Sequence, residues 1–256
     1  GYNVFGPYSA DTIGYKINNT TTGKYSDSVT TSFYGAHLLT GAGFGGLVCF
    51  NDKKLYENAK KLRAYGRSSA VFNESEGLKK RFNGKISGLE YDRKYIFSEM
   101  GYNFIPSEIA GAFLLEQLKK LKSVISKRIK NFNTLNNFFK KSPNYFRTPI
   151  KNKATRSGWL AYPILLKKNC GLSRTKLQIF LEKNGIQTRP IFSGNILRQP
   201  IMKKRIYKKS KFSNINSDDV MENGLLIGCH HGLKKKEIDH MLKTISRFIK
   251  ESMQQS

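Results

Sequence analysis

The hydrophobic pattern of the chain is clearest between residues 107 and 140, where apolar positions recur at steps of three and four. Such steps place side chains on one face of an α-helix, so this segment predicts one long amphipathic helix. Ser142 and Pro143 end the pattern, because proline does not continue a helix. The apolar stripe consists of Leu114, Leu118, Leu121, Ile125, Ile129, Phe132, Leu135 and Phe139. We assign this stripe to a core or an interface rather than to chemistry.

Similar spacing predicts four shorter helices along the chain. Their ranges are 52–65, 173–183, 217–223 and 238–249. Asp52 and Ser173 stand at N-cap positions, where a side-chain oxygen accepts a hydrogen bond from a free backbone N–H group. Gly66 and Gly185 stand where two of these helices are expected to end.

Short runs rich in β-branched and aromatic residues predict the strands. Their ranges are 29–34, 46–50, 159–166 and 186–192. Gly46–Phe50 is almost continuously apolar, so we expect this strand to be buried. Residues 15–28 predict a loop or hairpin, and residues 67–91, which lack periodicity, predict a long ordered loop. The polar segment after the long helix predicts a linker between a first domain, 1–145, and a second, 146–256.

The chain is strongly basic, with 45 Lys and Arg against 18 Asp and Glu and a formal net charge of +27. Such a charge permits binding to nucleic acid through the phosphates. The basic residues are spread over the whole chain as short lysine runs, without a zinc pattern, a recognition-helix pattern or an aromatic RNA-binding strand. We therefore favour a compositional bias that leaves solvated faces basic, and we expect no specific nucleic-acid partner.

Composition also bears on the compartment. No apolar run approaches the ~20 residues of a membrane span, and no signal-peptide pattern is visible, so we expect no membrane association. Cys49, Cys170 and Cys229 lie far apart, which suits a reducing cytoplasm and forms no metal-binding spacing. We expect a cytoplasmic protein without a metal site. The chain begins with Gly1 rather than Met, which fits a piece of a longer protein.

The stretch Thr31–Gly46, TSFYGAHLLTGAGFGG, combines a histidine with a glycine cluster. Glycines at this density permit either a tight turn between two strands or a close approach of the backbone to a ligand. Gly41–Gly46 also spells the dinucleotide-binding pattern G-x-G-x-x-G. That pattern requires a helix after it, whereas a strand is expected at 46–50, so we discount it.

The same stretch resembles the cofactor-lysine segment of the DegT/DnrJ/EryC1/StrS family of PLP-dependent sugar aminotransferases. In that family a serine, two aromatic residues and two small residues precede the lysine. Ser32 to Ala36 fits this order, and His37 stands at the lysine position. The stretches GYNFIPSE and RPIFSGNILRQP resemble the family as well. Histidine at this position resembles the nucleotide-sugar 3-dehydratases of the family.

The resemblance implies an α/β chain of PLP-dependent transferase fold type I, with a partial large domain and a small α+β C-terminal domain. It also implies that the N-terminal part of the large domain is missing. The implied cofactor is PLP or its amine form PMP, held without a covalent link because imidazole lacks the lysine amine. His37 would be the base that moves a proton while a nucleotide-linked 4-keto-6-deoxyhexose loses its C3 hydroxyl. Glutamate would be the amino donor, and deoxysugar or lipopolysaccharide O-antigen biosynthesis the context.

Further site residues follow from the resemblance alone. Asp11, Ser32 and Asn103 match cofactor-binding positions, with Asn103 reaching across a homodimer interface. Three matches in the last stretch, Arg189, Asn195 and Arg198, are candidates for substrate contact; ordinary surface residues are the alternative for each. One branch of the dehydratases carries an iron–sulfur cluster, typically held by four thiolates, and we expect no such cluster because the three cysteines are scattered.

Two alternatives to a dehydratase stay open. A sugar aminotransferase needs a lysine at position 37, where this chain has His37. A truncated, non-catalytic family member is favoured by Tyr8, which stands where the family has an aspartate that keeps the pyridine nitrogen of the cofactor protonated. Asp11 is the nearest carboxylate that would substitute for it.

Overall fold

A computed structural model of the chain describes residues 13–73, 76–150, 152–207 and 215–254. The chain divides into two compact units, Gly1–Leu121 and Lys122–Ser256, which we call unit 1 and unit 2. The division falls within one long helix, α3 (Glu108–Lys140), which confirms the helix expected at 107–140. A domain boundary after residue 145 stays a prediction.

Unit 1 consists of short strands and helices that precede or begin α3. They are β1 (Lys16–Ile17), β2 (Thr20–Thr21), β3 (Ser28–Ser32), β4 (Gly46–Phe50), α1 (Lys53–Arg63), α2 (Leu78–Arg81), β5 (Gly84–Ile86) and β6 (Leu89–Tyr91). β1 pairs with β2, β3 with β4 and β5 with β6, each antiparallel. Asp52 caps α1 as expected, since its side chain accepts a hydrogen bond from Leu55 N at 2.8 Å.

β4 is exposed, so the expectation of a buried strand at 46–50 is wrong. Leu47 and Val48 remain 49% and 43% exposed. Among the described residues the β3–β4 sheet has only two strands, and four of the five residues of β4 are exposed. An apolar run alone therefore predicted the strand but not its burial, which depends on neighbouring elements that a local pattern does not report.

Residues 67–91 contain more secondary structure than the single loop we expected. A 3-10 helix (Ser68–Val71) and α2 precede the hairpin of β5 and β6. Ser87 and Gly88 connect the two strands with φ angles of +50° and +87°. Positive φ at both central residues is typical of the tight turns that match the twist of a two-stranded hairpin.

Unit 2 contains the C-terminal half of α3 and an antiparallel sheet with further helices. These elements are β7 (Phe146–Arg147), β8 (Thr155–Arg156), β9 (Ala161–Leu166), α4 (Arg174–Lys183), β10 (Thr188–Arg189), α5 (Ile215–Asn223), β11 (Gly224–Gly228) and α6 (Lys235–Gln254). The predicted helices at 173–183, 217–223 and 238–249 are confirmed. The strand expected at 186–192 is shorter, because the chain turns at Phe192 and Gly194, which have φ angles of +47° and +63°.

The main core lies on one face of the four-stranded sheet, whose order is β10–β11–β9–β7. Tyr162, Ile164 and Leu166 alternate along β9 as buried residues, and Leu225 and Ile227 on β11 pair with Ile164 and Tyr162. Alternation of this kind is the expected signature of a strand with one buried face. Residues from α3, α4 and α6 complete this core, including Phe132, Leu135, Phe139, Leu177, Leu181 and Ile245.

The apolar stripe of α3 is buried only in its second half. Ile125, Phe132, Leu135 and Phe139 are at most 7% exposed, whereas Leu118 is 54% exposed. The stripe therefore forms core in unit 2 but not in the described part of unit 1. None of the helices in the described ranges is both long and apolar enough to cross a membrane.

Candidate functional site

His37 lies in a tight turn directly after β3. The hydroxyl of Ser32 accepts a hydrogen bond from Tyr34 N at 3.2 Å, and His37 N donates to Tyr34 O at 3.0 Å. Leu38 and Leu39, which follow, are buried at 6% and 4% exposure. The imidazole is thus half-buried and held between a strand end and two anchored leucines.

The glycine cluster shapes the connection from β3 to β4. Phe33 N donates to Gly45 O and Gly41 N to Phe33 O, both at 2.9 Å. Gly43 and Gly45 have φ angles of +98° and +107°, and a Cβ on Gly41 would lie 2.3 Å from the carbonyl oxygen of Phe44. These contacts require glycine for the turn itself. Since β4 follows as a strand, the decision to discount a dinucleotide-binding motif is confirmed.

The cofactor candidates differ in how far the structure describes them. Ser32 stands half-buried at the end of β3, five residues before His37. Asn103 is exposed, and its backbone bridges to Ala64 at the end of α1. Asp11 and Tyr8 lie outside the described residues. Ser32 and His37 therefore share one turn, whereas Asn103 occupies a separate segment of unit 1.

Close backbone packing holds the Asn103 segment against the end of α1. A Cβ on Gly101 would lie 2.1 Å from Gly66 N, so only glycine permits this crossing. Tyr102 N donates to Leu62 O at 2.7 Å. The rings of Tyr102 and Phe104 stack at 5.0 Å with an interplanar angle of 4°, and both are exposed. The segment presents aromatic side chains and the Asn103 amide outward.

The three substrate candidates lie in unit 2, and two of them meet. Asn195 is buried, and its amide Nδ2 donates to Asp218 Oδ1 at 2.7 Å. The same oxygen lies 2.7 Å from Nε of Arg198. Hydrogen bonds from Asn195 and Arg198 lower the pKa of Asp218. Asn195 and Arg198 are therefore joined through one carboxylate on α5.

Arg189 stands apart from that pair, on β10. Its Nη1 donates to the carbonyl of Thr188 at 2.7 Å, and the side chain is exposed. Glu182 Oε1 accepts from Thr188 N at 2.6 Å and from Thr188 Oγ1 at 2.8 Å. These bonds, helped by the charge of Arg189, lower the pKa of Glu182.

Sequence reasoning missed Asp218 as a residue of this region. It stands in the first turn of α5, beside Asp219, whose carboxylate pairs with Arg147 and accepts from Asn223 Nδ2. Acidic residues in a first helical turn are common for reasons of helix electrostatics, so no sequence signal set Asp218 apart.

The remaining cysteines and histidines show no candidate metal centre. Among the described residues, no group of three or more His, Cys, Asp or Glu side chains is arranged to hold a metal ion. Cys229 is buried, and burial raises the pKa of its thiol to about 12. Burial, together with the charges around it, lowers the pKa of His231 to about 4.

Comparison with known proteins assigns the chain to a family. A sequence profile of the DegT/DnrJ/EryC1/StrS aminotransferase family matches residues 8–246. The chain belongs to this family. The match extends over both units, and it confirms the family expected from the stretch around His37.

Relatives of known activity differ in what they catalyse. The dTDP-4-dehydro-2,6-dideoxy-D-glucose 3-dehydratase of Saccharopolyspora spinosa is 30% identical, covering 95% of this chain and 53% of its own length. The GDP-perosamine synthase of Escherichia coli O157:H7 is 24% identical, covering 93% of this chain and 56% of its own length. Both a dehydratase and a synthase of sugar nucleotides are thus similar to this chain.

A solved structure confirms the fold. The GDP-4-keto-6-deoxy-D-mannose-3-dehydratase of Escherichia coli, solved with bound hydrated PLP, is 28% identical with a TM-score of 0.77, covering 90% of this chain and 57% of that one. The chain therefore has the α/β fold of PLP-dependent aminotransferases. It spans a little more than half the length of the relatives it matches.

The residues present fit part of a PLP site. The Ser32 hydroxyl accepts from Tyr34 N, which leaves its own hydrogen able to donate to an anionic oxygen. His37 offers an imidazole that exchanges protons but, unlike a lysine amine, does not bond covalently to an aldehyde carbon. Ser32 and His37 thus bring a hydroxyl and an imidazole to one segment of unit 1.

Proposed function

We propose that this chain is the larger part of a PLP- or PMP-dependent nucleotide-sugar 3-dehydratase that acts on a 4-keto-6-deoxyhexose. The observation that carries the proposal is His37 itself, a histidine held half-buried in the turn after β3 at the position of the family's lysine. A 3-dehydratase and a PLP-bound dehydratase among its relatives support it. The proposed context is the biosynthesis of deoxysugars, including those of lipopolysaccharide O-antigens.

His37 would act as the proton carrier of the reaction. Imidazole is the side chain that takes up and releases a proton near neutral pH, so His37 would accept a proton from carbon and pass it on as the C3 hydroxyl departs as water. When bound, the cofactor supplies an electron sink that stabilises negative charge on carbon. The Ser32 hydroxyl would donate to an anionic group beside His37, and Asn103 would contribute an amide to a cofactor site of a partner in a homodimer. Asp11 would be a further cofactor contact.

Unit 2 would contact the nucleotide-linked sugar. Arg189 and Arg198 carry positive charge into an exposed region, and arginine binds anionic oxygens through directed N–H groups. Asn195 would contribute indirectly, because its amide is buried and already bonded to Asp218. Glutamate would serve as amino donor and supply the two electrons that net removal of the C3 hydroxyl requires.

The decisive experiment introduces the family's lysine. His37→Lys is incubated with PLP and reduced with borohydride, and the modified peptide is mapped by mass spectrometry. We expect a stable adduct at position 37 in this variant, because the resemblance puts the family's lysine there and its amine would form an imine with the cofactor aldehyde. His240→Lys, an exposed site on α6, controls for random modification of lysines.

Wild-type protein decides between dehydratase and aminotransferase. We expect PLP or PMP to change the near-ultraviolet spectrum of wild type. Borohydride should leave no adduct on the wild-type protein, because a cofactor held without a lysine imine offers no C=N bond whose reduction would attach it. A site-specific adduct on a native lysine of wild type would exclude the dehydratase and support the aminotransferase alternative.

A truncated, non-catalytic family member is the second candidate. It is favoured by Tyr8, which stands where the resemblance expects an aspartate that keeps the pyridine nitrogen of the cofactor protonated. The absence of any spectral change with PLP and with PMP, in a folded preparation, would favour this candidate.

A further inference from the structure

Two of the substrate candidates share one loop, which we call the 193–200 loop. Its conformation is fixed by a few internal bonds: Asn195 Oδ1 accepts from Leu197 N at 3.0 Å, and Asn195 O accepts from Arg198 N at 3.0 Å. Gln199 Nε2 donates to Ser193 O at 3.0 Å. Asn195 is thus the residue around which the loop folds, and it is buried at 6% exposure.

Asp218 joins this loop to α5 through a single oxygen. Oδ1 accepts from the buried Asn195 amide and lies 2.7 Å from the Arg198 guanidinium Nε. A charge-assisted hydrogen bond is stronger than a neutral one, so this oxygen fixes both side chains together. The carboxylate is 28% exposed and is the acceptor common to both candidates.

The bond to Asp218 also decides which edge of Arg198 is offered to a ligand. The Arg198 guanidinium has five N–H donors; Nε is committed to Asp218, and Nη2 lies 3.8 Å from Glu222 Oε1. Among the described residues Nη1 has no hydrogen-bond or ion-pair partner, which leaves that edge for an anionic oxygen. Without Asp218, the flexible side chain would sample other orientations, and binding would require that freedom to be lost.

A second contact fixes the loop on the same helix. Gly194 has a φ angle of +63°, and a Cβ there would lie 2.6 Å from Cβ of Met221 on α5. The loop backbone therefore lies directly against the helix that carries Asp218. The loop is therefore held against α5 by close packing at Gly194 and by the bonds of Asn195 and Arg198 to Asp218.

We propose that Asp218 is a positioning residue, which holds Asn195 and directs the Nη1 edge of Arg198 toward an anionic group of a nucleotide-linked sugar. The substrate side of this inference rests on the proposed function. The conformational side rests only on contacts within unit 2 and stands without it.

Hydrogen exchange tests the conformational side on the whole chain. In Asp218→Ala we expect the amides of Leu197 and Arg198 to exchange roughly tenfold faster, since a lost charged hydrogen bond is worth about one decade in the opening equilibrium. Asp218→Asn keeps an acceptor oxygen, so it should restore part of the protection and covers the case in which the alanine variant does not fold. Glu251→Ala removes an equal charge from α6, where Glu251 pairs with Arg247, and should leave these amides unchanged.

Ligand binding tests the substrate side. Titration with GDP-mannose and with dTDP-glucose should give a dissociation constant about tenfold higher in Asp218→Ala than in wild type, and an unchanged one in Glu251→Ala. Unchanged exchange in Asp218→Ala would overturn the inference as a whole. Faster exchange with unchanged affinity would reduce Asp218 to a purely structural role and overturn the substrate side.

Failure of the Asp218 inference can be distinguished from failure of the dehydratase proposal that the His37 experiment tests. If wild type binds neither sugar nucleotide, the substrate side fails together with the proposed substrate. If a sugar nucleotide binds through Asp218 but neither PLP nor PMP is bound, the dehydratase proposal fails and this inference stands.

Discussion

Individual histidines of this chain lie in contrasting surroundings, and the pair at 230–231 is the most perturbed. The two rings lie 3.9 Å apart between centroids. His230 Nδ1 accepts from Gly232 N at 3.0 Å, whereas His231 Nδ1 is buried without a hydrogen-bond partner among the described residues. Burial disfavours the charged imidazolium, and so do the positive charges of His230, Arg128 and Lys127. The pair therefore acts as a neutral element of the fold near neutral pH.

This environment predicts a loss of stability in mild acid. Burial and nearby positive charge lower the pKa of His231 in the folded chain to about 4, from an ordinary value of 6.5, so the unfolded chain binds the proton more tightly. Stability is fully present above the unfolded pKa and is lost as the pH falls from there toward about 4. We expect the Tm of His231→Asn, measured by circular dichroism, to fall less than that of wild type between about pH 7 and pH 5. His240→Asn, an exposed histidine on α6, is the control, and an identical fall in His231→Asn and wild type would contradict the prediction.

At the scale of elements, local chemistry was enough to predict most of the helices. Asp52 and Ser173 cap α1 and α4 as expected, because an N-cap bond depends only on residues three positions apart. The predicted burial of β4 was wrong, since burial depends on sheet neighbours that a local pattern does not report. The hairpin at 84–91 was missed because its strands are only three residues long each.

The residues of the candidate site also differ in whether the sequence alone predicts them. His37 was singled out by the run of residue types in TSFYGAH, and the family that this run predicted is confirmed by the profile match. The sequence did not predict Asp218 as a site residue. Its contact to Asn195 joins residues 23 positions apart and depends on a loop conformation that a local pattern does not report. Their functional roles stay predictions until the experiments at positions 37 and 218 are done.

Where α1 and the Asn103 segment cross, glycine substitution should reveal how tightly the elements pack. Gly101→Ala would place a Cβ 2.1 Å from Gly66 N and 2.5 Å from the carbonyl carbon of Tyr65, both rigid backbone atoms. We expect a loss of about 1–3 kcal/mol in the free energy of unfolding, the range typical of overpacking.

Gly111→Ala is the matched control for that substitution. Gly111 lies within α3, and a Cβ there would meet no atom within 4 Å. Alanine should stabilise the helix by about 0.5–1 kcal/mol, because glycine loses more backbone entropy on folding. Urea unfolding followed by circular dichroism measures both. Equal stabilities of the two variants would mean that the glycine crossing is not formed in solution.

For the whole molecule, the two units differ in how much apolar surface they bury. Every buried residue of the main core cluster belongs to unit 2. In the described part of unit 1 the buried apolar side chains are Phe33, Leu38 and Leu39, while many large ones, such as Phe44, Leu78 and Phe104, are more than two-thirds exposed. Burial of apolar area is the main favourable term in folding, at about 25 cal/mol per Å². Unit 2 therefore has the means to fold by itself, and unit 1 presents apolar surface to solvent.

This contrast predicts different behaviour of the whole chain and of its second unit. A fragment spanning Lys122–Ser256 should unfold cooperatively in urea, because it retains the complete core of the four-stranded sheet. The whole chain should bind the apolar dye ANS with strong fluorescence, since contiguous exposed apolar surface is what the dye detects, and the fragment should bind little. Phe132→Ala in the fragment should lower the free energy of unfolding by about 3–5 kcal/mol, because Phe132 is fully buried. Leu118→Ala in the whole chain should lower it by less than about 1 kcal/mol, because Leu118 is mostly exposed. Non-cooperative unfolding of the fragment, or equal dye binding by fragment and chain, would show that the core of unit 2 depends on unit 1.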